Sequence, residues 1–174
     1  ILDLGCGDGA LTMEVRASGC SVVAIDSSAE QVRAAAERGL DARVGDGAEL
    51  NFFAAFDGVI SNAALHWMKD SDAVINGVWQ ALRPGGRFVG EMGAAGNIQT
   101  VVNAVMAALA TRGIDGRHYN PWFFPSASEY STSLQARGFY VELIRRFVRP
   151  TLLDGDILPW LKIFTQSFAQ AVKP

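Results

Sequence analysis

The chain has 174 residues, 49% hydrophobic and 19% charged, with a net charge of −3. That length and apolar content fit one domain with a sizeable core and exclude a disordered or fibrous chain. The Lys and Arg residues are scattered, Arg145-Arg146 with Arg149 being the densest spot, so no basic stripe points to nucleic acid. Ile1 to Leu4 is a short apolar run ended by Gly5 and predicts a buried strand. Ala10 to Ala17 reads as a helix closed by Ser18-Gly19. Val22 to Ile25, rich in β-branched residues and ended by Asp26, is a second strand. Ser27 or Ser28 starts the next helix, Gln31 standing three residues after Ser28 as a capping-box partner, and the helix runs to Arg38. Ala42 to Val44 is a weaker third strand, followed by the polar loop Gly45-Asp46-Gly47. Phe56 to Ser61 is a fourth strand, and a helix follows from about Asp70 to Leu82. Arg83-Pro84-Gly85-Gly86 is a strong breaker, after which Arg87 to Met92 reads as a fifth strand and Ile98 to Thr111 as an apolar helix. Strands alternating with helices of this length predict an α/β fold with a doubly wound, mostly parallel sheet.

Beyond Thr111 the pattern changes. Gly113 to Pro125 is a loop of Gly, Pro and aromatics, and Ser126 to Arg137 is a helix with a serine start. Phe139 to Arg149 has strand composition, and Ile157 to Val172 looks helical. Residues 1–112 therefore read as a ligand-binding core. Residues 113–174 read as a lid that also completes the sheet within the same domain. Cys6 and Cys20 lack metal-ligand spacing and form no disulfide framework, which favours a reducing cytoplasm and no metal site. No apolar run reaches the ~18 residues a membrane helix requires, and no signal peptide is seen.

Chemistry concentrates in Asp3-Leu4-Gly5-Cys6-Gly7-Asp8-Gly9, between a strand and a helix. Alternate glycines let the backbone turn sharply and approach a ligand, and the helix beyond offers free N–H groups. Asp26 ends strand two, where a carboxylate accepts from both hydroxyls of a ribose. These features alone leave two cofactors open, because Gly5-x-Gly7-x-x-Ala10 also satisfies the relaxed dinucleotide fingerprint. Against a nicotinamide oxidoreductase stand Asp3 inside strand one, a further carboxylate, Asp46, after strand three, and the turn Arg83-Pro84-Gly85-Gly86.

Together these motifs resemble the class I S-adenosylmethionine-dependent methyltransferases. Ile1 to Gly9 looks like the family's first motif, Val23 to Ser28 its second, and Gly45-Asp46-Gly47-Ala48 its adenine loop. Phe56 to Asn62 looks like the fourth-strand motif and Leu82 to Phe88 the approach to the fifth strand. Ser61-Asn62-Ala63-Ala64-Leu65-His66-Trp67 is similar to a narrower group, the trans-aconitate and malonyl-carrier-protein methyltransferases. The resemblance implies a Rossmann-like methyltransferase fold, here without the N-terminal helices and final strand. It implies methyl transfer from S-adenosylmethionine to a small-molecule acceptor, with a carboxylate as one class. A non-catalytic methyltransferase-like module is the other reading. Cofactor binding is implied for Asp3, Gly5, Cys6, Gly7, Asp26, Ser27, Asp46, Gly47 and Asn62. Asp3, Gly5 and Gly7 would be at the methionine end, Asp26 at the ribose, Asp46 with Gly47 at the adenine, and Asn62 beside the sulfonium. His66 is the candidate for substrate contact or general base. Trp67 reads as packing, Arg145, Arg146 and Arg149 as solvent-facing, and Cys6 as a small buried residue.

Overall fold

Leu2, Asp3 and Leu4 are almost wholly shielded from solvent, and this short strand, β1 (Leu2–Leu4), is the centre about which the fold is organised. The computed structural model describes residues 1–153 and 155–172. β1 pairs in parallel with β2 (Val23–Asp26) on one side and β4 (Phe56–Asn62) on the other. β3 (Asp41–Val44) lies outside β2, and β5 (Leu82–Glu91) outside β4, giving the all-parallel order β3-β2-β1-β4-β5. Parallel neighbours require crossover connections. Here α1 (Ala10–Ala17), α2 (Ala29–Glu37) and α3 (Ser71–Ala81) supply three of them. The chain moves outward from β1 to β3, then returns to the other side of β1 at β4. That reversal opens a crevice between the loops after β1 and β4, the place where open α/β sheets bind ligands.

Local chemistry sets the helix starts. Ser28 is extended and its hydroxyl accepts from Gln31 N–H, while Asp70 accepts from Ala73 N–H at the start of α3. α5 (Ala127–Arg137) begins with a full capping box between Ser126 and Glu129. The main core joins Leu2, Leu4 and Val59 of the sheet to Val74, Val78 and Ala81 of α3. Each such buried aliphatic contributes roughly 1.5–3 kcal/mol, so α3 is held by its apolar face rather than by propensity. A second cluster of Cys6, Ala24, Ala35 and Leu40 lies under α2. A third is separate from both: Leu109 of α4 (Gln99–Ala110), Trp122, and Phe168 of α7 (Gln166–Gln170), with Phe164 of α6 (Leu158–Phe164) against them.

Three expectations change. Phe139 to Arg149 is not a strand, and the segment does not complete the sheet. Its residues suit a strand, but a strand also needs an open edge one hydrogen bond away. Here only side chains reach β5: Phe139 lies 6.2 Å from Phe88, and Arg87–Glu142 and Arg149–Glu91 form ion pairs. An open groove of about 1660 Å³ runs between this segment and β5, lined by Ile60, Val89, Val141 and Phe147 among others. Second, Arg83 to Gly86 does not end an element but bulges from the start of β5, since Phe56 pairs with Leu82 and Gly58 already with Arg87. Arg83 stays at the surface by pairing with Asp57 at 2.7 Å. Third, the helix expected at Ile157 to Val172 divides at Thr165, whose hydroxyl donates back to Leu161 C=O at 2.6 Å.

Gly5 and Gly7 test how tightly the reversal is built. Both have left-handed φ, +77° and +55°, but a Cβ on Gly5 would lie 2.2 Å from the Cβ of Ala64, while one on Gly7 meets only Gln31 Oε1 at 3.9 Å. Gly7→Ala should therefore cost only backbone strain, roughly 1–2 kcal/mol. Gly5→Ala should cost overpacking as well, roughly 2–4 kcal/mol in all. Thermal or urea unfolding of the two variants measures the gap, and equal losses would mean that Ala64 moves aside freely.

Candidate active site at the strand reversal

The loop after β1 is pinned before any ligand is considered. Gly5 N–H and Cys6 N–H both donate to the Ile25 carbonyl, at 2.7 and 3.0 Å. The next residue, Asp26, accepts from Gly7 N–H through Oδ2 and from Ser28 N–H through Oδ1, each at 2.9 Å. One carboxylate thus joins the glycine loop to the start of α2. Each of its oxygens keeps a second lone pair for a ligand hydroxyl. Ser27 is exposed beside it.

Asp3 is placed differently. It is 2% exposed, and its Oδ2 accepts from the Thr12 hydroxyl at 2.6 Å, tying β1 to α1. Burial pushes its carboxyl above the ordinary value, the Thr12 bond opposes this, and the charge of Asp26 adds to the rise. Cys6 is buried too, its thiol donating to the Gly7 carbonyl at 3.4 Å. Burial, then the charges of Asp3 and Asp26, push that thiol to about 12, so no thiolate nucleophile forms at neutral pH. Asp46, exposed at the end of β3, accepts from Ala48 N–H at 2.9 Å and starts the 3₁₀ turn Gly47–Glu49. Gly47 itself is buried beneath Met68, whose sulfur would lie 2.7 Å from a Cβ there.

Across the crevice, the Ser61 hydroxyl donates to the Leu4 carbonyl at 2.7 Å and locks β4 to β1. Asn62 ends β4 exposed, in register with Glu91, and Ala63 turns away with φ +55°. His66 follows on a short turn, Leu65–Trp67. Its Nδ1 accepts from Gly93 N–H at 3.2 Å and its carbonyl accepts from Phe123 N–H at 2.9 Å. The ring lies 5.5 Å from Trp67 and 5.7 Å from Phe124, and burial lowers its pKa below the histidine norm. Trp67 in turn touches Trp122 and Phe164, which brings the third core over this edge of the sheet.

The parallel sheet therefore aligns the Gly5–Gly9 loop, Asp26 with Ser27, Asp46 with Gly47, and Asn62 with His66 along the C-terminal ends of β1 to β4. The 113–125 segment divides. Trp122 and Phe124 meet Trp67 and His66, whereas His118 points outward beside Asp115. Arg149 is not simply solvent-facing but pairs with Glu91, and the Arg145 guanidinium lies over Phe147. Sequence reading missed Ser61 as a lock, Ala64 and Met68 as the packing against Gly5 and Gly47, and Gly93 as the partner of His66. The motif Ser61 to Trp67 contained Ser61 and Ala64, but nothing local marks Met68 or Gly93. Among the described residues no cluster of His, Cys, Asp and Glu could hold a metal, and no helix is long and apolar enough to cross a membrane.

A family model described as a methyltransferase domain matches residues 2–90. An uncharacterized methyltransferase of Schizosaccharomyces pombe is 43% identical over 183 residues, covering 98% of this chain and 70% of that protein. The trans-aconitate 2-methyltransferase of Mycobacterium tuberculosis is 43% identical over 115 residues, 64% of this chain. The chain spans 43% of that relative's length. In fold, it is similar to an S-adenosylmethionine dependent methyltransferase from Mesorhizobium loti, with a TM-score of 0.66 at 20% identity, over 99% of this chain and 85% of that one.

The buried carboxylate of Asp3 has a measurable signature. Its raised pKa means that the folded state tolerates the neutral form best, so stability from this group is present at low pH and lost as pH rises past the raised value. Asp3→Asn should keep the Thr12 bond and raise the melting temperature at pH 7 by a few degrees. The gain should shrink as pH falls through the raised value, where the native carboxyl takes up its proton. A variant melting at or below the native temperature at pH 7 would refute the assignment.

Proposed function

Because the chain belongs to the methyltransferase domain family, an S-adenosylmethionine-dependent class of enzyme, we propose that it transfers a methyl group from S-adenosylmethionine to a small-molecule carboxylate. Family membership removes the nicotinamide alternative. The observation that carries the cofactor reading is the Asp26 carboxylate, which already organises the glycine loop at the strand reversal and whose two oxygens each accept only one hydrogen bond. The residues fit the group: Gly7 opens onto free space, and Asp26 retains acceptor capacity. Asn62 stands exposed at the end of β4.

In this reading Asp26 with Ser27 takes the ribose hydroxyls, Asp46 and Gly47 the adenine, and Asp3, Gly5, Cys6 and Gly7 surround the methionine end. Asn62 lies beside the sulfonium. The cofactor supplies a methyl group already activated toward displacement. The chain's task is then alignment and exclusion of water. Residues 1–112 hold the cofactor and 113–174 act as the lid. Trp122, Phe124 and Phe164, crowded against Trp67 and His66, make an apolar wall on the acceptor side. The carboxylate class rests on the likeness to trans-aconitate 2-methyltransferases.

Calorimetry with S-adenosylmethionine and S-adenosylhomocysteine tests the cofactor, and methyl transfer to trans-aconitate tests the acceptor class. Asp26→Asn should weaken cofactor binding roughly tenfold or more, the loss expected for hydrogen bonds to a charged group. Unchanged affinity would remove Asp26 from the site.

A further inference from the structure

The position of the proton on His66 is decided by its surroundings. Gly93 N–H is an obligate donor, so Nδ1, which it meets at 3.2 Å, must present a lone pair. The other ring nitrogen, Nε2, then carries the proton of the neutral imidazole. Doubly protonated imidazole would turn an N–H against Gly93 N–H, and burial already disfavours that charge. Nε2 has no partner among the described residues. It is not buried either, since Ser167 Oγ is the one buried side-chain polar atom left without a partner there. The elements around the ring bring Trp67, Gly93, Phe123 and Phe124. The charged side chains on those elements are already engaged: Glu91 with Arg149, Lys69 with the Asn120 carbonyl, and Asp70 with Ala73 N–H. His66 therefore offers a fixed, uncharged N–H in an aromatic wall, on the turn that follows β4.

We propose that His66 holds the methyl acceptor by donating from Nε2–H to its carboxylate, and that the reaction uses no general base. The inference rests on the methyltransferase reading above. A base must present an unprotonated nitrogen to the substrate, and here the free nitrogen is the protonated one. The acceptor must then arrive already ionised, which a carboxylate does at neutral pH and a phenol does not. One carboxylate oxygen accepts from Nε2–H while the other attacks the methyl carbon. The new O–CH₃ bond forms as the C–S bond breaks, and that electron pair returns to sulfur. Anion and sulfonium thus become a neutral ester and a neutral thioether, and no proton moves. His66 is a specificity residue for anionic acceptors.

Nuclear magnetic resonance of protein labelled with ¹⁵N-histidine reads the tautomer directly, with His66→Gln used to assign its signals apart from those of His118. At pH 7 the expected pattern is an unprotonated Nδ1 and a protonated Nε2; a protonated Nδ1, or an imidazolium, overturns the proposal. With trans-aconitate as probe, His66→Asn, whose amide reaches only to the Nδ1 position, should raise KM roughly tenfold, the loss of one charge-assisted hydrogen bond. His66→Gln, whose amide nitrogen reaches the Nε2 position, should recover most of that loss. Affinity for S-adenosylhomocysteine by calorimetry should be the same in all three proteins. The kcat/KM of the native protein should be level from about pH 6 to pH 9, because no group of the chain exchanges a proton in the reaction. A fall in rate as pH drops through the histidine range would mark a base and overturn the proposal, as would activity confined to phenols or thiols. If S-adenosylhomocysteine fails to bind the native protein, the methyltransferase reading itself falls. If it binds and the tautomer is wrong, only this inference falls.

Discussion

Gly5 has no side chain, and the site depends on that absence. A Cβ at this position would overlap that of Ala64, so the loops after β1 and β4 could not sit against one another where the strand order reverses. With the contact in place, the short Leu65–Trp67 turn is drawn down and Met68 spans Gly5 and Gly47. The crevice that an open α/β sheet leaves at its reversal becomes a shaped edge. Backbone hydrogen bonds complete it: Ile25 C=O receives two N–H groups from the glycine loop, and Leu4 C=O receives the Ser61 hydroxyl. These links join three strands whose residues lie far apart in the chain.

Three carboxylates along this edge differ because their solvation differs. Asp3 is buried and bonded to Thr12, Asp26 is half-buried and bonded to two backbone N–H groups, and Asp46 is exposed and starts a turn. Each uses part of its acceptor capacity to organise the protein. The chain tolerates the unfavourable burial of Asp3 at the centre of its shortest and most enclosed strand. A buried ionisable group with a displaced pKa next to a ligand loop is the kind of feature that selection for binding, rather than for stability, retains.

The aromatic cover has its own core and touches the sheet edge mainly through the His66–Trp67 turn. Trp122 stacks on Phe124 and meets Phe168, and Phe164 reaches Trp67, so α4, the 114–124 segment, α6 and α7 pack into one wall beside the His66–Trp67 turn. On the proposed function, such a wall with one oriented N–H in it would exclude water while leaving a specific contact for an anion. The open groove beside β5 is lined on one side by Ile60, Ser61 and Asn62 of β4, and none of the aromatic side chains at 122–124 lines it.

Periodicity and turn residues were enough to read the five strands and most of the helices. Ser28 with Gln31, Ser126 with Glu129, and the glycines after β1 act within a few residues of themselves, so their meaning survives without the fold. Asp26 and Asp46 were legible for a related reason: in a parallel sheet, any residue that ends a strand arrives at the same edge. Other features were not local. Phe139 to Arg149 has the residues of a strand, but pairing depends on whether β5 lies within hydrogen-bonding reach, and here only side-chain contacts join the two. The burial of Asp3 required α1 to place Thr12 beside it, and the tautomer of His66 required an N–H donated by Gly93, 27 residues further along. The sequence by itself determined the fold class, the order of elements as far as α5, and which residues stand at the C-terminal ends of the strands. Only the tertiary structure decided which of them are buried, which already have partners and which nitrogen of His66 is left free, because desolvation and hydrogen bonding are set by neighbours in space.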